Sequence, residues 1–259
     1  MCPSCYNAHM FRPALPIRTW FKAIAHTLTG SLDELFPPIV RQELRDAEAA
    51  GWRVDAPTAY CPRCGASTGQ GEATSKGCSH CIGQPIAWDR LVRLGAYKPP
   101  LAPWIVAMKY HKQWPWAPWF GSALAQAAGP IADPGKSIIC PVPMPLLRRW
   151  RRGFSQTHLM AQAFADETKL RVVSVLKRSG WQQPQTKVIA ARRKANVSHA
   201  FRVEPIDLSG YEVWLIDDVK TSGATLTACT RLLRSLGAWR INAVVAAVAD
   251  PKQLDFKAK

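Results

Sequence analysis

The sequence predicts an α/β fold, a parallel sheet flanked by helices, and three observations point to it. From residue 137 onward, apolar runs of strand length alternate with stretches of helical periodicity, the pattern of successive β–α–β units. Residues 213–216 are all apolar, as expected of a strand buried on both faces. After a short turn, residues 226–236 place apolar side chains on one helical face, and Gly237 follows. A helical segment and a small cysteine-rich ribbon are predicted to precede this core.

Composition and charge indicate a globular protein with a basic surface. The 259 residues are 47% hydrophobic, which supplies a core for one large domain or two smaller ones. No apolar run approaches the roughly 18 residues needed to span a bilayer, and no secretory signal is visible, so we expect a cytoplasmic protein without membrane spans. The net charge of +16 favours nucleic acid, anionic lipid or a phosphate-rich small molecule as partner. A solvated basic surface without a specific partner stays open.

Residues 1–56 are predicted to form an N-terminal helical extension. Apolar residues recur at helical spacing on both sides of Pro37-Pro38, and residues 40–50 have the pattern of an amphipathic helix. Cys2 and Cys5 form a C-x-x-C pair, but the segment that follows them lacks cysteine. We therefore favour a frayed terminus over a metal site there.

Residues 57–98 are predicted to form a zinc ribbon. Two C-x-x-C pairs are separated by 13 residues, a spacing typical of a tetrahedral four-thiolate site. The predicted ligands are Cys61, Cys64, Cys78 and Cys81. Four thiolates leave no open coordination position, so the zinc ion is expected to be structural. His80, inside the second pair, is interpreted as a bystander.

Residues 99–259 are assigned to the α/β domain, which opens with a helix at 101–112. Its basic end, residues 109–112, is followed by Trp114, Trp116 and Trp119. Aromatic residues interleaved with cations suit stacking on single-stranded nucleic acid. We favour the alternative, a Trp-rich segment that packs onto the domain, because large aromatic side chains are usually buried anchors.

The end of the 213–216 strand has the chemistry of a sugar-phosphate site. Asp217 and Asp218 are acceptors that suit the hydroxyls of a ribose. After Val219, the six residues Lys220-Thr221-Ser222-Gly223-Ala224-Thr225 supply hydroxyls and the unpaired backbone N–H groups of a helix start, which suit a phosphate. Gly223 lets the backbone approach closely. The pattern predicts a 5-phosphoribosyl site.

A nucleotide hydrolase is the alternative for an apolar strand that ends in two aspartates. It requires G-x-x-x-x-G-K-[ST] upstream. The nearest segment is Gly135-Lys136-Ser137, but Pro130 occupies the position of the first glycine, and a strand follows where a helix is needed. We therefore set the hydrolase aside.

A cluster of arginines follows the predicted strand at 137–142. Arg148, Arg149, Arg151 and Arg152 surround Trp150. Guanidinium groups bind phosphate oxygens in a bidentate manner, so this segment is a candidate for holding a pyrophosphate. A nonspecific basic loop, or a contact with nucleic acid, stays open.

Several segments in order resemble the ComF/GntX-like family, a competence-associated group of type I phosphoribosyltransferases. The resemblance covers roughly residues 61–250 and includes the cysteine pairs. Residues 213–225 are similar to the phosphoribosyltransferase signature, with Ser222 where many members have Thr. The other matching segments are Pro141-Val142-Pro143 with Arg152-Gly153-Phe154-Ser155-Gln156, and Gln185-Thr186 with Arg193-Lys194-Ala195-Asn196-Val197 and Ala200-Phe201.

The resemblance implies a type I phosphoribosyltransferase core and a site for 5-phosphoribosyl diphosphate with Mg²⁺. Transfer of phosphoribosyl to a nitrogenous base, in nucleotide or nucleoside metabolism, is the implied reaction. The implied catalytic residues are Asp217, Asp218 and Arg152. The implied donor-binding residues are Lys220, Thr221, Ser222, Gly223, Ala224, Thr225, Arg149, Arg151 and Arg193. Residues 182–196 are polar and basic, and we expect them to form a lid that excludes water.

A second hypothesis assigns the chain to a different functional class. A zinc ribbon and a degenerate phosphoribosyltransferase fold would bind nucleic acid without turnover, serving DNA uptake or processing, because fold does not fix function. Single-stranded DNA would be the partner. The acceptor base and the formation of a homo-oligomer stay open at this stage.

Overall fold

A five-stranded parallel sheet organises the residues that this computed structural model describes, which are 38–69, 72, 76–178 and 200–249. The strands, in chain order, are β1 (Arg90–Ala96), β2 (Ser137–Pro141), β3 (Arg171–Val172), β4 (Leu176–Arg178), β5 (Phe201–Val203), β6 (Glu212–Lys220) and β7 (Arg240–Val248). The helices are α1 (Pro38–Ala49), α2 (Leu101–Tyr110), α3 (Trp116–Ala128), α4 (Leu146–Arg152), α5 (Gln156–Thr168) and α6 (Ala224–Ser235).

The strand order in the sheet is β1-β7-β6-β2-β3, and every neighbouring pair is parallel. β6 lies in the centre, between β2 and β7. β4 and β5 form a separate antiparallel pair. The predicted parallel sheet flanked by helices is confirmed.

Two hydrophobic cores lie on the two faces of the sheet, as the apolar strands require. The first core contains Trp214 and Ile216 of β6 together with residues of α2, α3 and α5. The second contains Val213 and Leu215 of β6 together with residues of α6 and the β4–β5 pair. Neighbouring residues of β6 therefore belong to different cores, because side chains alternate along a strand.

The tryptophans after β1 are mainly packing residues. Trp104 and Trp116 are buried, and their rings stack with centroids 4.4 Å apart. Trp119 contacts both rings edge-on, while Trp114 is half exposed. The favoured interpretation, a Trp-rich segment that packs onto the domain, is confirmed for Trp116 and Trp119.

Local structure departs from the sequence interpretation at several points. Residues 90–96, which were assigned to the ribbon segment, form the edge strand β1, because their apolar residues pack against both cores and pair with β7. The three-part division at residues 57 and 99 stays a prediction. The strand at the opposite edge of the sheet, β3, has only two residues, Arg171–Val172. The arginine-rich segment, expected as a loop, is the helix α4, which its leucines and arginines favour.

Some predictions fall outside the described part of the chain: the start of the N-terminal extension with Cys2 and Cys5, and the lid at 182–196 with Arg193. Within the described part, the helices fall short of the length and apolarity that a membrane crossing requires.

The contact between α3 and α5 depends on a glycine. A methyl group on Gly121 would lie 2.3 Å from Met160 O and 2.7 Å from Ala163 Cβ. Gly121→Ala should therefore force the helices apart and lower the free energy of unfolding by about 1–3 kcal/mol, measured by urea denaturation. Gly135→Ala is the control, because its nearest neighbour would lie 3.4 Å away. Equal stability of the two variants would contradict this packing.

Candidate functional site

The carboxyl ends of β2 and β6 lie side by side. The strands are parallel, and Pro141 pairs in register with Ile216. The segments that follow them, which lead to α4 and α6, therefore leave the sheet at the same edge. Ligands of open parallel sheets bind outside this edge, which we call the carboxyl edge.

The turn between β6 and α6 comprises residues 221–223, of which Gly223 is buried. Gly223 has a φ of 76°, in the left-handed region that glycine tolerates, and Thr221 and Ser222 are exposed. Among the described residues, the backbone N–H groups of Ser222, Gly223 and Thr225 have no protein acceptor. The Ala224 N–H donates only a long bond of 3.4 Å to Ser222 Oγ. Several amides of this turn are therefore available to an anion.

Asp218 is held by two side chains from the helices of the first core. Lys109 Nζ donates to its Oδ1 at 2.6 Å, and Gln156 Nε2 donates to its Oδ2 at 2.7 Å. The residue is only 7% exposed. Lys109 is in the last turn of α2, and Gln156 is the first residue of α5. Both carboxylate oxygens are therefore engaged and fixed in direction.

Asp217 projects from the opposite face of β6, because it is the neighbour of Asp218 along the strand. Burial and the negative charge of Asp218 raise its pKa to about 7, although the Asp218 N–H, Lys109 and Arg178 act in the other direction. The Asp218 N–H donates to Asp217 Oδ1 at 2.8 Å. Arg178, in β4, stacks on the Phe201 ring with its guanidinium 5.0 Å from the centroid. The two aspartates therefore occupy different environments, and their joint contact with a ribose stays a prediction.

The helix α4 exposes most of its side chains. Arg149 and Arg151 are exposed, and Trp150 is 83% exposed. Arg152 is different, because its guanidinium lies 5.3 Å from the ring centroid of Tyr110 at the end of α2 and donates to Met144 Sδ at 3.6 Å. Arg152 therefore packs against α2, while the other two arginines face solvent.

Lys220 lies beside the turn at the end of β6. Its Cε would be 3.5 Å from a methyl group on Gly223. The structure thus brings Lys220 close to Gly223 and the turn at 221–223. Ala224 and Thr225 begin α6 and are half buried.

The sequence interpretation missed the partners of the acidic pair. Lys109 fell on the same helical side as Leu101, Ile105 and Met108, and a lysine on a buried helical side signals a partner. For Gln156 there was a weaker indication, which is that the residue belongs to the family segment beginning at Arg152. Arg178 gave no recognisable signal.

Four cysteines form a second candidate site, separate from the acidic pair. The Sγ atoms of Cys61, Cys64, Cys78 and Cys81 all lie within 4.8 Å of one another, and all four residues are buried. The Sγ–Sγ distances include 3.7 Å for Cys61–Cys81 and 3.6 Å for Cys64–Cys78. A tetrahedral ion with bonds of about 2.3 Å to sulfur requires about 3.8 Å between ligands. The cluster therefore fits a four-thiolate metal site, and His80 is not among its members.

The thiols of the cluster are not equivalent, because burial raises the pKa of Cys64 and of Cys81, whereas the pKa of Cys61 is lowered. Burial acts to raise its pKa, but the backbone N–H groups of Cys64 and Arg63, with the thiols of Cys81 and Cys78, lower the pKa to about 7. A thiolate is the form that binds a metal.

The raised pKa of Asp217 predicts a pH-dependent stability. The folded state keeps a proton that the unfolded chain releases near pH 4, so the contribution of Asp217 to stability falls as pH rises from about 4 to about 7. The uncharged Asp217→Asn variant should be more stable than the unaltered protein, and its advantage should grow by about 2 kcal/mol between about pH 5.5 and about pH 8. Urea denaturation at both pH values measures this difference. Asp207→Asn is the control, since that exposed carboxyl has a lowered pKa; an advantage of Asp217→Asn that does not vary with pH would contradict the assignment.

Comparison with known proteins identifies relatives but no matching family model. Two solved structures are similar in part: the allosteric regulatory enzyme of purine biosynthesis, at 18% identity and a TM-score of 0.35 over 50% of this chain and 25% of that chain, and the purine phosphoribosyltransferase from Pyrococcus horikoshii, at 14% identity and a TM-score of 0.29 over 62% of this chain and 92% of that chain. These scores are too low to carry an argument.

The sequence relatives are closer. Competence protein F of Haemophilus influenzae is 30% identical over 189 residues, which is 69% of this chain and 80% of the relative. DNA utilization protein YhgH of Salmonella typhi is 32% identical over 190 residues, 69% of this chain and 79% of the relative. The same-named protein of Escherichia coli K12 is 30% identical over 185 residues, with the same two shares. The chain therefore belongs to the family of competence protein F and DNA utilization protein YhgH.

Proposed function

We propose that the carboxyl edge binds 5-phosphoribosyl diphosphate and that the protein transfers the phosphoribosyl group to a nitrogenous base. The observation that carries the proposal is the turn at 221–223 and the start of α6. Within the described part of the chain, the N–H groups of Ser222, Gly223 and Thr225 have no protein acceptor. The turn follows the acidic end of β6 directly and shares an edge with the arginines of α4. The proposed site therefore has N–H groups for a phosphate, a carboxylate for ribose hydroxyls and guanidinium groups for a pyrophosphate, all at one edge of the sheet.

The 5-phosphate would bind at the turn. The N–H groups of Ser222, Gly223 and Thr225 and the hydroxyls of Thr221 and Ser222 are its donors. The positive end of the α6 dipole adds roughly 0.3–1 kcal/mol for such an anion. Lys220, beside Gly223, adds positive charge.

The two aspartates would have different roles. Asp217 is the acceptor for ribose hydroxyls, because only its Oδ1 receives a hydrogen bond within the described part of the chain. Asp218 fixes Lys109 and Gln156 against the end of β6, because both of its oxygens are already engaged. A bound ligand would therefore meet Asp217 first.

Magnesium fits one carboxylate better than the other. Mg²⁺ is commonly bound by one or two carboxylates together with substrate phosphates, and Asp217 offers an oxygen for it, whereas Asp218 would have to release Lys109 or Gln156. The ion would neutralise charge on the pyrophosphate group. The exposed guanidinium groups of Arg149 and Arg151 would contribute to the same effect.

The reaction would depend on stabilisation of the leaving group. The bond between the anomeric carbon and the pyrophosphate oxygen breaks, the electron pair leaves with pyrophosphate, and a base nitrogen forms the new bond to that carbon. Among the described residues at this edge, Asp217 has a pKa near neutrality. It would accept hydrogen bonds from the ribose most strongly when it is deprotonated.

We infer that the metal of the cysteine cluster is zinc. Four thiolates at tetrahedral spacing suit zinc and leave no position for a substrate. Its role would be structural, because the segment around it is too small to fold on a core of its own.

A second candidate function is nucleic-acid binding without turnover. It is favoured by α4, where Trp150 is 83% exposed beside three exposed arginines, since stacking and phosphate contacts together bind single strands. Two relatives are named for competence and DNA utilization. On this hypothesis the protein would act in DNA uptake or processing and bind single-stranded DNA.

One assay separates the two functions. The protein is incubated with 5-phosphoribosyl diphosphate, Mg²⁺ and a panel of nitrogenous bases, and released pyrophosphate is measured. We expect release with at least one base, and a loss of about 100-fold in Asp217→Asn. Asp207→Asn is the matched control and should change the rate less than about twofold, because Asp207 precedes β6 at its other end.

Binding of single-stranded DNA is measured in parallel for the same three proteins. If transfer is the function, Asp217→Asn leaves DNA affinity nearly unchanged. The opposite result has three parts: no base causes release of pyrophosphate, the protein does not bind 5-phosphoribosyl diphosphate, and it binds DNA tightly in a salt-sensitive way. This result would favour nucleic-acid binding over phosphoribosyl transfer.

A further inference from the structure

Trp88 connects the cysteine cluster with the turn after β6. The residue is buried, with 6% of its surface exposed. Its Nε1 donates to the backbone oxygen of Arg63 at 2.7 Å. At the other end of the ring, Cη2 would lie 3.0 Å from a methyl group on Gly223, and Cζ3 would lie 3.7 Å from it. One indole therefore touches both the metal-binding segment and the candidate phosphate turn.

The position of the Arg63 oxygen depends on the first cysteine pair. Arg63 lies between Cys61 and Cys64 in the sequence. The Gly65 N–H donates to Cys61 O at 2.8 Å, which closes the loop. A metal ion on Cys61 and Cys64 would hold this loop in one conformation, because binding to the ligands is coupled to folding of the segment.

The same loop is attached to the edge of the sheet. The Leu91 N–H donates to Pro62 O at 2.7 Å, and Arg93 Nη1 donates to Gly65 O at 2.6 Å. Arg93 is 1% exposed, and its Nη2 also bonds to Asp55 at 2.6 Å. The cysteine loop is therefore hydrogen-bonded to β1, and a change in its conformation would affect both Trp88 and β1.

We propose that the metal-bound ribbon positions the candidate phosphate turn through Trp88, so that metal occupancy determines how well ordered this turn is. Trp88 is a positioning residue that acts through Gly223. The ring closes one side of the turn, where Gly223 itself has no side chain to restrict the backbone. Only the consequence for ligand affinity rests on the proposed function, because the order of the turn is a property of the protein alone.

Hydrogen exchange of α6 is the measurement that tests the coupling. The Thr227 N–H donates to Gly223 O at 2.8 Å, so exchange at the first turn of α6 reports on the conformation of Gly223. Exchange is measured by mass spectrometry on the full chain, with the zinc content determined beforehand by elemental analysis. β2, an interior strand between β6 and β3, serves as the internal reference for global opening.

The variants are Trp88→Phe, Trp88→Ala and Cys64→Ser, with Trp239→Phe as the matched control because Trp239 is exposed. We expect exchange at the start of α6 to increase about 10-fold in Trp88→Ala and in Cys64→Ser. Trp88→Phe, which keeps a shorter aromatic ring at this position but lacks the bond to Arg63 O, should show a smaller increase. Trp239→Phe and the exchange of β2 should not change.

Two outcomes would overturn the coupling. One is an unchanged rate at the start of α6 in Trp88→Ala and in Cys64→Ser. The other is an equal increase at α6 and β2, which would show general destabilisation in place of a specific connection. Binding of ribose 5-phosphate to the same proteins is a separate readout: an unaltered protein that does not bind it would count against the proposed function and leave the exchange result standing.

Discussion

Side chains alternate between the two faces of a strand, and this constraint at the end of β6 governs the candidate site. It separates two aspartates that are adjacent in the sequence. Asp218 meets Lys109 and Gln156 on the face of the first core. Asp217 meets the other face, where burial raises its pKa to about 7. The two aspartates therefore lie in different environments: both oxygens of Asp218 are engaged by side chains of the first core, whereas Asp217 lies on the other face of β6.

The sequence was sufficient for features that depend on local patterns. Apolar runs and helical periodicity predicted the parallel sheet, and the spacing of Cys61, Cys64, Cys78 and Cys81 predicted a cluster that fits a metal. It was not sufficient for contacts between distant segments. Lys109 reaches Asp218 across 109 positions, and periodicity identifies the side of a helix on which a residue lies but not the strand that it meets.

The tertiary arrangement also changes how the accessory segment is understood. Two C-x-x-C pairs suggest a small ribbon that folds around its metal, and its relation to the rest of the chain cannot be derived from spacing. In the structure, hydrogen bonds from Leu91 and Arg93 attach this segment to the edge strand. Trp88 extends the attachment to the start of α6. In this member of the competence protein F family, the cysteine segment is therefore part of the support for the carboxyl edge.

The central claim is that the turn after β6 holds the phosphate of a phosphorylated ribose. Titration of the isotopically labelled protein with ribose 5-phosphate, followed by two-dimensional NMR of the backbone amides, tests it most directly. We predict that the resonances of Ser222, Gly223 and Thr225 shift first and saturate together, because their N–H groups are the open donors of this edge. Saturable shifts confined to other parts of the protein, or no shifts at all, would contradict it.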